Sequence, residues 1–189
     1  MIATNDTINE LLEFLGAVPE GPLPAEHASG KYLRDLKLNL KGTLSSEHLS
    51  GKESMLLALA LSVNAGKPML QEAFRRKSLE AGASEAETGE AMACASLMAA
   101  NNVFYRFRHY MQSEQYNNLP ARFRMNIMMN PLLGKEFFEL ISLAVSAVNG
   151  CEMCVRSHEQ SLRALGASEE RIFDAVRLAS VMESLVKLF

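Results

Sequence analysis

The chain has 189 residues, of which 48% are hydrophobic and 22% charged. That balance fits one domain, or two small halves sharing a core, and excludes a disordered chain. Nineteen lysines and arginines against 22 acids leave a net charge of −3, the wrong sign for a protein that lives on nucleic-acid phosphates.

The elements read as helices almost throughout, with scarcely any strand alternation. Residues 1–16 form a short amphipathic helix ending at Gly16. Asp6, Glu10 and Glu13 with no lysine or arginine before position 16 are unlike a secretory leader, and no run of about 20 apolar residues offers a membrane span. The expected address is therefore the cytoplasm, with no membrane partner. Pro19, Pro22 and Pro24, with Gly21 and Gly30, make a non-helical linker. Leu33, Leu36 and Leu40 have helical spacing in the segment 31–40. The apolar segment 54–63 follows Ser50 and ends near Asn64 and Gly66. Pro68 opens the helix 69–81, and Gly82 stops it. Ser84 and Glu87 form a capping box for a helix running to about Ala100. Residues 125–130 with Pro131 mark a boundary. Then come helices over 136–148, closed by Asn149-Gly150, over 151–165, stopped by Gly166, and over 168–187. The fold class is all-α.

An internal repeat appears when the chain is shifted by 84 positions. Gly66 falls on Gly150, and Gly82-Ala83-Ser84-Glu85 falls on Gly166-Ala167-Ser168-Glu169. Leu56, Leu59, Ala60 and Ser62 fall on Leu140, Leu143, Ala144 and Ser146. Shared stops and shared apolar positions at one offset read as two related helical halves, over about 50–104 and 134–188. The halves differ where chemistry belongs. Cys151, Cys154, His158 and Glu139 face Lys67, Leu70, Phe74 and Met55, so reactive groups collect in the second half and the first is degenerate.

The reactive segment is Cys151-Glu152-Met153-Cys154-Val155-Arg156-Ser157-His158. Cysteines three apart at a helix start lie on one face, within reach of a disulfide. The free N–H groups and partial positive charge of the helix N-terminus favour a thiolate. His158, four residues after Cys154, shares that face and can take a proton from it. Glu139 lies eleven residues before Gly150, and His158 eight after. In an antiparallel helix pair folded at Asn149-Gly150, the two come within about 4.5 Å of rise. This spacing suggests a carboxylate–imidazole–thiol relay.

The pattern Glu–(eleven residues)–Cys-x-x-Cys-x-x-x-His resembles the signature of the alkylhydroperoxidase D (AhpD) family, in the carboxymuconolactone decarboxylase-like superfamily. So do Asp35 to Leu40, Asn101 to Arg106, Arg124 to Ile127 with Asn130-Pro131, and Ala144 to Cys151. The resemblance runs from about Lys31 to near Leu185, leaving residues 1–30 as an N-terminal extension and linker before a domain over 31–189. It implies an AhpD-like fold, a homotrimer, and an antioxidant peroxidase acting on hydrogen peroxide and organic hydroperoxides. Cys154 would be the peroxide-attacking thiol and Cys151 the resolving thiol in a disulfide with it. His158 and Glu139 would form the proton relay. No cofactor would be bound. Dihydrolipoamide on a lipoyl-bearing acyltransferase subunit would supply electrons, and a peroxiredoxin partner would receive them. One place departs from the best-studied pattern, where a histidine precedes the second cysteine; here it is Met153, which relays no proton.

Other readings weigh less. The same residues suit a general thiol–disulfide oxidoreductase with little peroxidase activity. Cys151, Cys154, His158 and Glu139 also make four zinc ligands for a structural site. A carboxymuconolactone-type decarboxylation has no use for a dithiol. Cys94, in an apolar run, reads as a buried small side chain. His27, His48 and His109 read as surface or loop residues, Tyr105 to Tyr110 as a helix end, and Arg75-Arg76-Lys77 as a solvated face. The 11 methionines read as core and interface filler, some of them suited to lining an apolar channel for organic peroxides.

Overall fold

A computed structural model of the chain describes residues 2–189, with side chains from Asp6 onward. Its α-helices are α1 (Ile2–Leu15), α2 (Gly30–Leu44), α3 (Gly51–Asn64), α4 (Pro68–Glu80), α5 (Glu85–Met111), α6 (Glu114–Asn118), α7 (Lys135–Val148), α8 (Glu152–Ala164) and α9 (Glu169–Val186). Short 3-10 turns cover Pro24–His27 and Asn126–Met128. There is no strand among the described residues.

Local chemistry sets the helix ends. Ser84 Oγ accepts the Glu87 N–H, and Glu87 Oε2 accepts the Ser84 N–H. Ser50 and Glu53 make the same reciprocal cap for α3, which satisfies donors that a helix start leaves free. At the other end, the Gly150 N–H donates to Ala147 O and the Cys151 N–H to Ser146 O. That Schellman closure needs a left-handed residue, and Gly150 supplies it at φ +68°. Gly66 closes α3 with the equivalent pair of bonds, to Val63 and Ser62.

Adding 84 to both ends of α3 and of α4 gives both ends of α7 and α8. Helices α3 and α7 occupy the centre. Each packs on the helix that follows it, and both pack on α5 and α9. Ten consecutive residues of α7, from Phe137 to Ser146, are buried, as is nearly all of α3 from Ser54 to Ser62. Helices enclosed on all sides have no polar face to present, and some of their buried serines bond to their own backbone. Ser62 and Ser142 donate to the carbonyls four residues back.

Three expectations need correction. Helix α5 does not stop near Ala100 but continues to Met111, where Gln112 turns left-handed at φ 48°. Asn102, a residue that favours helix ends, sits inside it because tertiary partners satisfy its amide: it donates to Ser146 Oγ and accepts from Asn149. The proline-rich linker is not wholly irregular, since Pro24 starts a 3-10 turn. Arg75-Arg76-Lys77 is not merely solvated. Arg75 meets Glu72 and Glu85, Arg76 donates to the Leu15 and Gly16 carbonyls, and Lys77 lies over the Phe14 ring. The N-terminal segment shares the single core, with Leu11, Leu15 and Ala25 fully buried.

Candidate functional site

The site forms where α7 turns into α8, against the middle of α5. Asn149 holds that turn from several sides. Its side chain exchanges two hydrogen bonds of 3.0 Å with Asn64 at the end of α3 and donates to Asn102 Oδ1 at 2.9 Å. Arg106 donates to its carbonyl. The residue that precedes the Gly150-Cys151 step is therefore fastened to both α3 and α5.

Cys151 is the N-cap of α8: its carbonyl accepts the Val155 N–H, while its own N–H closes α7. Cys154 lies in the first turn of α8. The two sulfurs are joined in a disulfide with a Cα–Cα separation of 5.3 Å. Both residues are buried, but only Cys154 lines a cavity of about 280 Å³. His158, one turn further along α8, lines the same cavity.

The buried Glu139, on α7, reaches the ring of His158, with Oε2 2.6 Å from Nδ1. Its other oxygen lies 3.1 Å from Lys135 Nζ. Burial pushes the Glu139 carboxyl up, but the hydrogen bond and charge of His158, then those of Lys135, outweigh it and hold the group below the ordinary carboxylate value. An ionised Glu139 accepting at Nδ1 puts a proton on that nitrogen, which turns Nε2 to the remaining chemistry. The four residues singled out in the sequence thus lie together across the α7–α8 pair. No group of three or more His, Cys, Asp or Glu among the described residues is placed to hold a metal ion.

Sequence reasoning missed most of the cavity. Asn101 and Tyr105 come from α5, Met125 and Met128 from the 3-10 turn segment, and Met153 and Ser157 from α8. Methionine spacing gave no sign of which members face a site, because the walls come from distant segments. Lys135 was missed as well, although its place four residues before Glu139 on one helix face is a signal that would have found it. Cys94 lies elsewhere in the core, wholly buried near Phe138 O and Ser142 Oγ, and burial pushes its thiol up to about 12. Of the other histidines, His48 is held by Asp174 at 2.9 Å, and His109 lies half exposed beside Glu152. No helix of the described residues is long and apolar enough to cross a membrane.

The chain is similar to several known proteins. Residues 114–186 match the model of the carboxymuconolactone decarboxylase family. The alkyl hydroperoxide reductase AhpD of Anaeromyxobacter dehalogenans (strain 2CP-C) is 44% identical over 151 residues, covering 80% of this chain and 81% of that one. AhpD of Anaeromyxobacter sp. (strain K) is 41% identical over 183 residues, 97% of this chain and 89% of its own, so most of residues 1–30 have counterparts there. AhpD of Coxiella burnetii (strain RSA 493) is 41% identical over 160 residues, covering 83% of this chain and 90% of its own. Identity at this level, over four fifths or more of each chain, shows that the chain belongs to the alkyl hydroperoxide reductase AhpD family.

Proposed function

We propose that the protein is an antioxidant thiol peroxidase that reduces hydrogen peroxide and organic hydroperoxides through Cys154. The observation that carries this reading is the position of Cys154 on an apolar cavity, beside a histidine held by a buried carboxylate and within bonding reach of a second cysteine. In the reduced protein, His158 takes the Cys154 proton, and the positive end of α8 favours the thiolate. The thiolate attacks the terminal peroxide oxygen. An S–O bond forms, the O–O bond breaks, and its electron pair leaves on the alkoxide, which takes the proton from His158. Cys154 becomes a sulfenic acid. The Cys151 sulfur attacks it, water leaves, and the disulfide forms. Glu139 keeps His158 oriented and stabilises its protonated form. Met153 stands in the cavity wall as an apolar contact.

Re-reduction needs two electrons from a dithiol by thiol exchange. The family resemblance supplies dihydrolipoamide on an acyltransferase subunit as donor and a peroxiredoxin as a further acceptor, in the cytoplasm. It also supplies a homotrimer. Supporting self-association, Tyr110, Leu119, Met129 and Leu132 are each more than half exposed, near the site segments in sequence.

The test is peroxide turnover with dihydrolipoamide as donor, for the native protein and Cys154→Ser. Turnover in the first and none in the second supports the reading. No turnover in the native protein, with its disulfide still readily reduced, would leave a disulfide reductase instead.

A further inference from the structure

One residue that lines the cavity carries a buried polar atom with no protein partner. Asn101, on α5, is 5% exposed, and its Oδ1 accepts no hydrogen bond. Its Nδ2 faces the Met125 sulfur at 3.2 Å. A thioether carries no proton, so the nitrogen belongs on that side and the oxygen is the end left free. A thioether is also a weak acceptor, so neither end of the amide is well satisfied. The adjacent Asn102 shows what the fold does with a structural asparagine: its amide bonds both Ser146 and Asn149. A buried carbonyl oxygen left unbonded keeps its full desolvation penalty, and such exceptions call for an explanation.

The lining supplies one. Asn101 shares the cavity with Cys154, Ser157 and His158, while Met125, Met128, Met153 and Tyr105 make the rest mostly apolar. At ~30 Å³ per water-sized group, about 280 Å³ holds on the order of nine such groups. That is room for a small organic molecule with an apolar body and one polar end. An alkyl hydroperoxide has that form, and its O–OH end carries a single donor.

We propose that Asn101 is the substrate-anchoring residue of this cavity: its Oδ1 accepts the O–H of an organic hydroperoxide whose alkyl group lies against the methionines. This rests on the peroxidase reading above. The bond fixes the terminal oxygen, the atom that Cys154 attacks. Nothing is transferred to Asn101; the O–O cleavage and proton return run as already balanced. Re-reduction of the disulfide by a dithiol involves no hydroperoxide and does not use this contact.

The experiment separates the two half-reactions in native protein, Asn101→Leu and the smaller Asn101→Ala. Oxidation of the reduced protein by cumene hydroperoxide is followed by stopped flow, and reduction of the disulfide by dihydrolipoamide separately, with thermal melting as the folding control. The expected result is a roughly ten- to hundredfold slower oxidation in both variants, disulfide reduction within about twofold of native, and an unchanged or higher melting temperature for Asn101→Leu, because an unsatisfied group has been removed. Oxidation at the native rate in either folded variant overturns the anchoring role alone. So do equal falls in both half-reactions, or a lower melting temperature with a native oxidation rate, either of which marks Asn101 as structural. A native protein that cumene hydroperoxide does not oxidise overturns the peroxidase reading, and the anchor with it.

Discussion

Replacing Glu139 with Gln keeps the shape of the side chain and removes its charge. Glu139 is 4% exposed and lies 2.6 Å from His158 Nδ1, so nearly all its effect on the imidazole is felt without solvent screening. A hydrogen bond to a charged group contributes about 1.5–3 kcal/mol. At 1.36 kcal/mol per factor of ten in rate, losing it from the transition state of peroxide attack slows that step by roughly ten- to hundredfold. In the proposed relay the Cys154 thiolate is paired with a protonated His158, the form of the ring that an ionised Glu139 favours and a neutral glutamine does not. Glu139→Gln therefore lowers the rate of peroxide oxidation at pH 7 by that factor. The fall shrinks at alkaline pH, where the thiolate forms without help from the relay. The assay is the pH profile of Cys154 alkylation and of peroxide oxidation in reduced protein, with and without Glu139→Gln, from about pH 5 to pH 10. An alkaline shift of both profiles is expected. A uniform drop at every pH, or no shift, would refute the electrostatic role and leave Glu139 as a spacer.

Glu139 also sets an acid response. Its carboxyl is held below the ordinary value of 4.5, so the stability it contributes is fully present above that value and lost as pH falls through the lowered one. Glu139→Gln should therefore lose less stability than native protein as pH falls from about 5 to about 2, as read by denaturant titration. Cys94, with its thiol pushed up to about 12, should resist iodoacetamide in the reduced folded protein at pH 8, and peptide mapping should find label on Cys154 and none on Cys94. Arg171 binds Glu53 and Glu136 and donates to the His48 carbonyl, tying α9 to α3 and α7. Arg171→Met should cost about 2–3 kcal/mol, discounted from the cost of a deeply buried pair because the partners are partly exposed, and lower the melting temperature by about 5–10 °C with peroxide turnover at 20 °C preserved. Gly150→Ala meets no steric obstacle but must hold φ near +68°. It should cost about 1 kcal/mol, measured the same way.

The helix ends were legible because they are local. Gly66, Gly82, Gly150 and Gly166 stop helices, Ser84 with Glu87 starts one, and each works within five residues of chain. The pairing of Glu139 with His158 was legible for a different reason: two helices hinged at one glycine bring residues at similar distances from the hinge side by side. The course of α5 past Ala100 was not, because what keeps Asn102 helical is Ser146 and Asn149, contributed by α7 and its end. The cavity was hidden likewise. Asn101, Met125 and Ser157 meet only after α5, the 3-10 turn segment and α8 have packed, and no periodicity within one segment records that meeting.

The fastening of Asn149 bears on how long an oxidised Cys154 survives. Peptides that must fold back to bring two thiols together lose time and entropy in the search. Here the turn ahead of Cys151 is held by Asn64, Asn102 and Arg106, independently of the sulfur atoms. On the proposed assignment, a sulfenic acid on Cys154 meets its partner as a neighbour already in place, at an effective molarity far above any cellular peroxide concentration. A second peroxide, which would carry the sulfur on to the irreversible sulfinic acid, must win that race from solution. The clamp thus acts as a safeguard: it biases each oxidation event toward the recoverable disulfide.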